Sequence, residues 1–400
     1  MSLKIPLDYL GRLVEKVLGG CYDKEEKDKK KKRIHVPITR VENVHWRMGV
    51  HFLLFLITAT GLKMWFGEPI QCAIMAEIDK SGARSFWSSY IHDLCFVNGT
   101  FACPSHHITE RPDRILTAVN YKYTPFFFLL LAAFHMLPSN VWTIWRKFLS
   151  LDAGAILNEM EGAKTEDDME KTRVRTTDIA GFLYDHLNNV KESFFPNTFI
   201  ISFCTVKFLM LIVDVISYYS ILSFIGTTDS YWPLTRIYSW FNGTTPFISN
   251  SDEFPMTVCC EVEIHAMGNN RLSVMQCVLP VNMYSDKFFT ILGVWYIMLT
   301  VLTVCSLVET IARCALGSWP SIGAALDKHD RTLFNEFRSE FLRADGRLMV
   351  QFVRNHIGTN AARDFELAMF ARYKEKRETS AWIVSPAKNG FRSKLNSVDS

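Results

Sequence analysis

Residues 254–308 read FPMTVCCEVEIHAMGNNRLSVMQCVLPVNMYSDKFFTILGVWYIMLTVLTVCSLV, and the two halves of this stretch suit different solvents. The first half is polar and strand-like and contains three cysteines. The second half, residues 288–308, holds no charged residue, and as a helix it would be about 30 Å long, the thickness of the hydrocarbon core of a bilayer. Only the short link 281–287 separates the halves. Because paired cysteines persist in oxidising compartments, we expect the first half to lie outside the cell or in a lumen.

The apolar residues of the chain are concentrated in four blocks rather than alternating with polar ones. The chain is 48% hydrophobic with 30 Phe, and each block is long enough to cross a membrane. We therefore predict an all-α membrane protein with four transmembrane helices, disulfide-linked outer loops with short strands, and a helical inner loop and tail. The predicted segments are an N-terminal segment at 1–43, helices at 44–64, 123–145, 198–222 and 288–310, loops at 65–122, 146–197 and 223–287, and a tail at 311–400 that is helical over 333–373 and disordered from about Ser380.

Basic residues indicate the orientation of these helices. The first 47 residues carry twelve Lys and Arg, and Arg146 and Lys147 directly follow the second helix, whereas residues 226–286 carry only two. The positive-inside bias therefore places both termini and the middle loop in the cytosol. Two further features agree, since the Asn-Gly-Thr sequons at Asn98 and Asn242 and six of the ten cysteines fall in the two loops assigned outside.

The chain contains no constellation that indicates catalysis. It has no P-loop, HExxH, GxSxG, GxGxxG or CxxC, so we predict neither an enzyme nor a cofactor. His106-His107 lack spaced partners, and we interpret them as exposed residues rather than metal ligands. A net charge of +3 gives no footprint for nucleic acid. The basic run KEEKDKKKKR at 24–33 is either a solvated cytosolic segment or a contact with anionic lipid.

Several polar residues fall within the predicted spans. Lys207 and Asp214 are seven residues apart and hence on one face of the third helix. Charge at membrane depth faces protein or water, so an internal polar network and contact with a conduction path both remain open. The second helix carries Pro125 near its start; we expect Pro138, within it, to kink the helix, and His135 to be a hydrogen-bonded interior residue rather than a ligand.

Five segments, spread over most of the chain, form a recognisable combination. They are WFGEPIQC at 65–72, LCFVNGTF at 94–101, residues 254–289, FLRADGRLMVQFVRNHIG at 341–358, and NYKYTPF at 120–126. Together they resemble the innexins, the gap-junction family of invertebrates, whose architecture is related to that of pannexins. The last segment is a degraded form of the family's Tyr-Tyr-Gln-Trp-Val-Pro-Phe, and the tail segment also resembles nematode members.

The resemblance implies a ring of subunits, an octamer, around a central pore. Such a hemichannel would dock through its outer loops with a hemichannel of an adjacent cell, at plasma-membrane junctions, and pass ions and small molecules. Partners would be further copies of this chain, other innexins and membrane lipids. Two alternatives remain open: an undocked, pannexin-like hemichannel, which a glycan on Asn98 would favour, and a non-conducting modulatory or adhesion subunit.

The resemblance also implies which loop cysteines are bonded. The family's cysteines carry over as the pairs Cys72–Cys277 and Cys95–Cys260. Cys103 and Cys259 are additional, and they are either free thiols or a third loop-to-loop bridge, which we prefer. The remaining cysteines are expected to be free thiols: Cys21, Cys204, Cys305 and Cys314.

By the same resemblance, the N-terminal segment would line the pore entrance, and the outer half of the first helix would continue the wall. The candidates at the entrance are Leu3, Ile5 and Leu7, and those on the first helix are Thr58, Gly61 and Trp65. From the residues alone, small and polar positions such as Thr58 and Gly61 pack helix against helix more often than they line water. The basic linker before the first helix leaves open whether the N-terminal helix reaches the pore.

Overall fold

The structure is a computed structural model of the full chain. It describes residues 40–73, 84–101, 103, 121–149, 151–164, 168–191, 197–247, 251, 253–266, 269–316 and 328–395. The chain divides into two compact units. The membrane unit consists of Val41–Trp142 and Cys204–Thr310, and the helical unit consists of Met1–Arg40, Thr143–Phe203 and Ile311–Ser400.

The first helix, α1, has three parts: Arg40–Asn43, a π-helical turn at Val44–Gly49, and Val50–Trp65. The other strands and helices follow in chain order as β1 (Gln71–Cys72), α2 (Arg84–Asn98), α3 (Thr124–His135), α4 (Leu137–Phe148), α5 (Ala153–Lys164), α6 (Met169–Lys191), α7 (Thr198–Ile225), α8 (Trp232–Phe241), β2 (Thr257–Ala266), β3 (Asn269–Val278), α9 (Pro280–Leu316), α10 (Lys328–Glu336), α11 (Arg343–His356) and α12 (Thr359–Leu395). A short 3-10 turn, Tyr121–Tyr123, precedes α3, and a second π-helical turn, Phe337–Leu342, joins α10 to α11.

Four helical stretches among the described residues are long and apolar enough to cross a membrane: Val41–Trp65, Tyr121–Arg146, Thr198–Ile225 and Pro280–Ala315. The predicted fold class is therefore confirmed. The second span is interrupted at Met136, between α3 and α4, two residues before Pro138. Proline has no N–H to donate to the preceding turn, so the interruption lies where the sequence indicated one.

The fourth membrane helix begins earlier than the apolar run suggested. Helix α9 starts at Pro280, so the link 281–287, which we expected to separate strand from helix, is helical. Proline suits the first position of a helix because its missing N–H would have no partner there. The polar residues of this turn are also buried, with Asn282 fully so and Asp286 3% exposed. Burial, rather than hydropathy, explains why the helix extends through this polar sequence.

The core of the membrane unit is aromatic. Phe289 is fully buried, and its ring centroid lies 5.0 Å from that of Phe128, 5.5 Å from that of Phe224 and 5.7 Å from that of Phe254. Such offset contacts between rings add stability to that gained from the apolar area that the rings bury. They pack the start of α9 against α3, the end of α7 and the chain just before β2.

The loops of the membrane unit form a three-stranded antiparallel sheet with strand order β1-β3-β2. Alternate residues of β2, Val258, Cys260 and Val262, are buried, as the two-residue period of a strand requires. Ile91 and Cys95 of α2 are fully buried in the same apolar cluster. This helix was not predicted, and it closes one face of the sheet.

The helical unit contains α5, α6 and, in the described part of the tail, α10, α11 and α12. Phe352 of α11 contacts Phe199 and Phe203 of α7, with ring centroids 5.7 and 5.6 Å away. Helix α12 continues to Leu395, so it includes the stretch after Ser380 that was expected to be disordered.

Asp345 caps the first turn of α7. Its Oδ1 accepts the backbone N–H of Ile200 at 2.9 Å, and its Oδ2 accepts that of Phe199 at 3.3 Å. The first N–H groups of a helix have no partner within the helix, so a buried carboxylate satisfies them. Burial raises the pKa of Asp345 above its ordinary value, and the two backbone hydrogen bonds oppose that rise.

We predict that Asp345→Ala destabilises the helical unit by about 1–3 kcal/mol, because it leaves buried N–H donors unsatisfied. Asp345→Asn retains one acceptor oxygen and should cost less. The measurement is the thermal unfolding of purified protein in detergent, with Asp364→Ala, an exposed carboxyl on α12, as the matched control. Equal unfolding midpoints for Asp345→Ala and Asp364→Ala would contradict the capping role.

The raised pKa also gives a sign for the pH dependence. A folded-state pKa above the unfolded value means that the folded chain binds the proton more tightly. The resulting stability is fully present below the unfolded pKa and is lost as pH rises through the folded one. Burial likewise raises the pKa of Glu366. The unfolding midpoint of the wild-type protein should therefore fall as the pH rises above about pH 4. In the double variant Asp345→Asn, Glu366→Gln this fall should be smaller.

Candidate functional site

An ion pair is buried between α1 and α7 of the membrane unit. Lys207 Nζ lies 2.5 Å from Glu42 Oε1 and donates a hydrogen bond of 2.5 Å to Ser306 Oγ. Lys207 and Glu42 are each 1% exposed. A charge buried inside a membrane span requires an opposite charge beside it, and Lys207 and Glu42 provide this for each other.

A second polar pair lies two turns further along α7. Asp214 Oδ1 is 2.8 Å from His45 Nε2, and Asp214 Oδ2 accepts a hydrogen bond of 3.1 Å from the hydroxyl of Thr303 on α9. Asp214 and His45 are fully buried. Lys207 and Asp214 therefore belong to an internal polar network that joins α1, α7 and α9, and neither reaches the exposed surface of the unit.

His45, in the π-helical turn of α1, also contacts a second histidine, His135 at the end of α3. His135 Nε2 donates to the carbonyl oxygen of His45 at 2.9 Å, and the two imidazole rings stack with centroids 4.0 Å apart and planes 13° apart. A Cβ on Gly49 would lie 2.4 Å from His135 Nε2, so the approach of α3 to α1 requires glycine at this position.

His45, His135 and Asp214 form a group whose ligand atoms lie within 4.8 Å of one another. Both Nε2 atoms already have hydrogen-bond partners, and the stacked rings hold their nitrogen lone pairs in nearly parallel planes. The lone pairs that bind one metal ion must point toward a common centre, whereas lone pairs in two nearly parallel ring planes do not. The group therefore suits hydrogen bonding, as expected for His135, better than metal ligation.

We predict that Gly49→Ala costs about 1–3 kcal/mol, because the new methyl group must displace the His135 ring from a packed interior. The measurement is the unfolding midpoint in detergent within a double-mutant cycle. In a His135→Ala background the same substitution should cost much less, since the clashing ring is gone. Additive effects of the two substitutions would show that the close approach does not constrain Gly49.

Three disulfides join the two loops of the membrane unit. Each connects a cysteine that follows the first span with one that precedes the fourth: Cys72–Cys277, Cys95–Cys260 and Cys103–Cys259. Backbone hydrogen bonds of 2.8 Å between Phe101 and Cys259, one in each direction, support the third. Within the described chain, Cys204, Cys305 and Cys314 form no disulfide, whereas Cys21 lies outside the described residues.

Ion pairs and aromatic rings fix the basic residues beside these loops. Arg236 Nη2 lies 3.3 Å from Glu253 Oε2 and 3.7 Å from Asp286 Oδ1. Lys287 Nζ lies 2.5 Å from Asp286 Oδ2 and 4.2 Å from the centroid of the Trp240 ring, a cation–π contact. These two cations are therefore engaged in holding α8 to the start of α9.

Both sequons expose their asparagine. Asn98 is the last residue of α2, and Asn242 directly follows α8. Each is followed by a glycine with positive φ, 94° for Gly99 and 66° for Gly243, which turns the chain away from the helix. Thr100 of the first sequon is buried, at 2% exposure. Both asparagine side chains have room for a glycan.

One face of α1 is exposed from Arg47 to Trp65. From Met48 onward its members recur every three or four residues, the spacing of a single helix face, and Arg47 adjoins the first of them: Arg47, Met48, His51, Phe55, Thr58, Leu62 and Trp65. We call this face the α1 stripe. Thr58 and Trp65 lie on it, whereas Gly61 does not, because the ring of Trp65 one turn later covers it. The other candidates, Leu3, Ile5 and Leu7, lie outside the described residues.

The exposed faces of the other spans differ in chemistry. Their large exposed side chains are apolar and include Phe126, Leu129, Leu130 and Ile144 in the second span, Ile201, Phe208, Ile212 and Ile216 in the third, and Ile291, Met298, Val301 and Val304 in the fourth. Among the described residues of these three spans, the only exposed charged side chain is Glu309, near the end of the fourth. The α1 stripe, in contrast, carries Arg47 and His51 well inside its span.

Comparison with known proteins gives a consistent result. The family model described as Innexin matches residues 39–373. This chain belongs to the innexin family. Similar proteins from Caenorhabditis elegans include Innexin-2, 21% identical over 88% of this chain and 82% of its own length, Innexin-14, 25% identical over 81% and 84%, and Innexin unc-9, 22% identical over 86% and 95%.

Innexins are gap-junction channel proteins rather than enzymes, and membership supports the role of a membrane channel subunit for this chain. The matched range begins just before α1 and ends within α12, so it contains all four spans and the disulfide-linked loops of this innexin. The polar network and the α1 stripe both lie inside that range.

Sequence reasoning missed four members of the polar network in this innexin: Glu42 and His45 on α1, and Thr303 and Ser306 on α9. Glu42 and His45 lie at the start of the first span, where hydropathy alone sets a boundary two residues after Glu42. The available signal was the pair Lys207 and Asp214, because two opposite charges at membrane depth require partners on another helix. Polar residues near the end of another span, such as Glu42 and His45, were therefore the candidates for these partners.

Proposed function

We propose that this innexin is a subunit of a large-pore hemichannel that docks with a hemichannel of an adjacent cell and passes ions and small molecules. The subunits would form a homomeric ring, an octamer as the family resemblance implies, with membrane lipids around it and other innexins as further partners. The α1 stripe of each subunit would face the central water path. Both termini would lie in the cytosol, at plasma-membrane junctions.

The observation that carries this proposal is the difference between the α1 stripe and the other exposed faces. Arg47, His51 and Thr58 are polar and exposed within a span, whereas the exposed side chains of the other spans are overwhelmingly apolar. Polar groups at membrane depth face protein or water, and apolar ones can face lipid. A ring of subunits satisfies both requirements when every copy turns α1 inward.

The loops support the docking part of the proposal. Three disulfides and the ion pairs at Arg236 and Lys287 constrain the sheet and the helices α2 and α8 before any partner binds. A surface that is ordered in advance loses less conformational entropy on association. The distribution of basic residues and the disulfide chemistry both support an outer location for these loops.

Cysteine accessibility tests the assignment of the water path. Thr58→Cys on the α1 stripe should react in intact cells with a membrane-impermeant thiol reagent, and the reaction should change the conductance. Ile216→Cys on the exposed apolar face of α7 and Leu56→Cys, 1% exposed on α1, are the matched controls and should not react. Labelling of Ile216→Cys in place of Thr58→Cys would assign the water path to another face.

Conductance tests the docking. Current between paired cells that express only this chain, with surface labelling as a control, would support docked channels. Current in single cells without coupling would instead favour an undocked hemichannel, for which the exposed Asn98 is the supporting observation, since a glycan there would separate opposing loops. Surface expression without either current would overturn the homomeric channel and favour a modulatory or adhesion subunit.

A further inference from the structure

Arg47 and His51 lie one turn apart on the α1 stripe, and both are exposed. His51 Nδ1 is 2.6 Å from the carbonyl oxygen of Arg47. A carbonyl only accepts, so the ring proton belongs on Nδ1, and Nε2 is left with its lone pair for water or a solute. The two side chains therefore present a guanidinium and an imidazole on one face of the helix.

The depth of these residues decides what they can face. Arg47 and His51 follow the start of the span at Val41 by about 9 Å and 15 Å, given about 1.5 Å per helical residue, in a hydrocarbon core about 30 Å thick. Arginine could extend to the headgroups, but an imidazole at His51 is too short to do so. An exposed polar ring at that depth requires water or a neighbouring protein.

The charge of Arg47 is not neutralised within the part of the subunit that the structure describes. No ion pair to Arg47 occurs among these residues, in contrast to Arg236, which lies 3.3 Å from Glu253. The acidic residue closest in sequence, Glu42, is buried against Lys207 at 2.5 Å. The described α1 stripe itself contains no Asp or Glu.

We infer that Arg47, with His51 beside it, forms an anion-selecting step in the water path, and that the favoured permeants are small molecules bearing carboxylate or phosphate groups. The inference rests on the proposed channel and adds its substrate class. Repeated around a ring, the guanidinium groups concentrate anions and repel cations, and their planar donors suit carboxylate and phosphate oxygens. Water in the path screens this field over about 8 Å at 0.15 M salt and over about 30 Å at 0.01 M, so selectivity should increase as salt is lowered.

Reversal potentials in unequal KCl solutions provide the first test. The wild-type channel should favour chloride, more strongly in dilute salt, Arg47→Gln should lower the anion-to-cation permeability ratio several-fold, and Arg47→Glu should reverse the preference. Lys171→Glu makes the same charge change at an exposed site of the helical unit, where Lys171 is 67% exposed, and should leave the ratio unchanged. A reversal potential that does not respond to Arg47 overturns the selectivity but not the channel.

Labelling of His51→Cys provides a second test that requires no current. In a background with Cys21, Cys204, Cys305 and Cys314 replaced by alanine, an anionic thiosulfonate should modify this cysteine several-fold faster than a cationic one. Adding Arg47→Gln should equalise the two rates. Absence of labelling would show that His51 faces lipid or a neighbouring subunit, and equal rates with Arg47 present would show that its charge does not act on the path. Either result overturns the inference.

The two failures are distinguishable. Wild-type protein that reaches the surface without carrying current overturns the proposed channel, and the selectivity falls with it. A channel that conducts but shows neither the shift in reversal potential nor the difference in labelling rates remains a channel whose selectivity lies elsewhere.

Discussion

Replacement of Lys207 by methionine is expected to destabilise the membrane unit by about 3–5 kcal/mol, the usual cost of leaving one member of a buried ion pair without its partner. Methionine has a similar shape, so the effect would come from charge rather than from a cavity. Glu42, at 1% exposure, would be left buried without the opposite charge of Lys207. Ser306 would also lose the donor that lies 2.5 Å from its hydroxyl.

The measurement is the unfolding midpoint of the detergent-purified protein together with its surface expression. Lys207→Met combined with Glu42→Gln removes both charges and should recover much of the loss. Lys171→Met, at a lysine that is 67% exposed and pairs with Asp168 at 3.7 Å, is the matched control and should change stability by less than about 1 kcal/mol. If the single and double variants at the buried pair are equally destabilised, charge is not the cause.

The polar network marks a limit of what the sequence could predict. Spacing on one helix placed Lys207 and Asp214 on a common face, because the period of a helix is fixed. Their partners Glu42 and His45 lie more than 160 residues away in the chain, and no local rule pairs them. The π-helical turn that brings His45 beside His135 is likewise a product of packing between helices, and its sequence signal is only a glycine at position 49.

The difference between local sequence rules and contacts between distant residues also explains how much of the spans and loops could be predicted. Apolar runs of membrane length predicted the four spans, because backbone groups in hydrocarbon must bond within a helix. Helix α2 and the early start of α9 at Pro280 were not predicted, because their stability depends on burial against the sheet and against the aromatic core around Phe289. Loop cysteines could be paired only through the family resemblance, since six cysteines allow fifteen pairings.

Removal of the Cys95–Cys260 bridge, by Cys95→Ala with Cys260→Ala, is expected to destabilise the loops by about 2–5 kcal/mol. Both cysteines are fully buried, and the bond joins residues 165 positions apart. In the chain-entropy view, a bond across so long a stretch restricts the unfolded loops strongly. Because Cys95 belongs to α2 and Cys260 to β2, its loss also removes the covalent link between the helix and the sheet.

The expected result is a lower unfolding midpoint and loss of current between paired cells. Current in single cells should be retained if the membrane helices assemble without ordered loops. Cys305→Ala removes an exposed free thiol within the fourth span and is the matched control. Cys103 is partly exposed, whereas Cys95 and Cys260 are fully buried, so removal of the Cys103–Cys259 bridge should cost less than removal of Cys95–Cys260. Coupling that survives the loss of Cys95–Cys260 at normal surface density would show that docking does not depend on the loop geometry that this bond fixes.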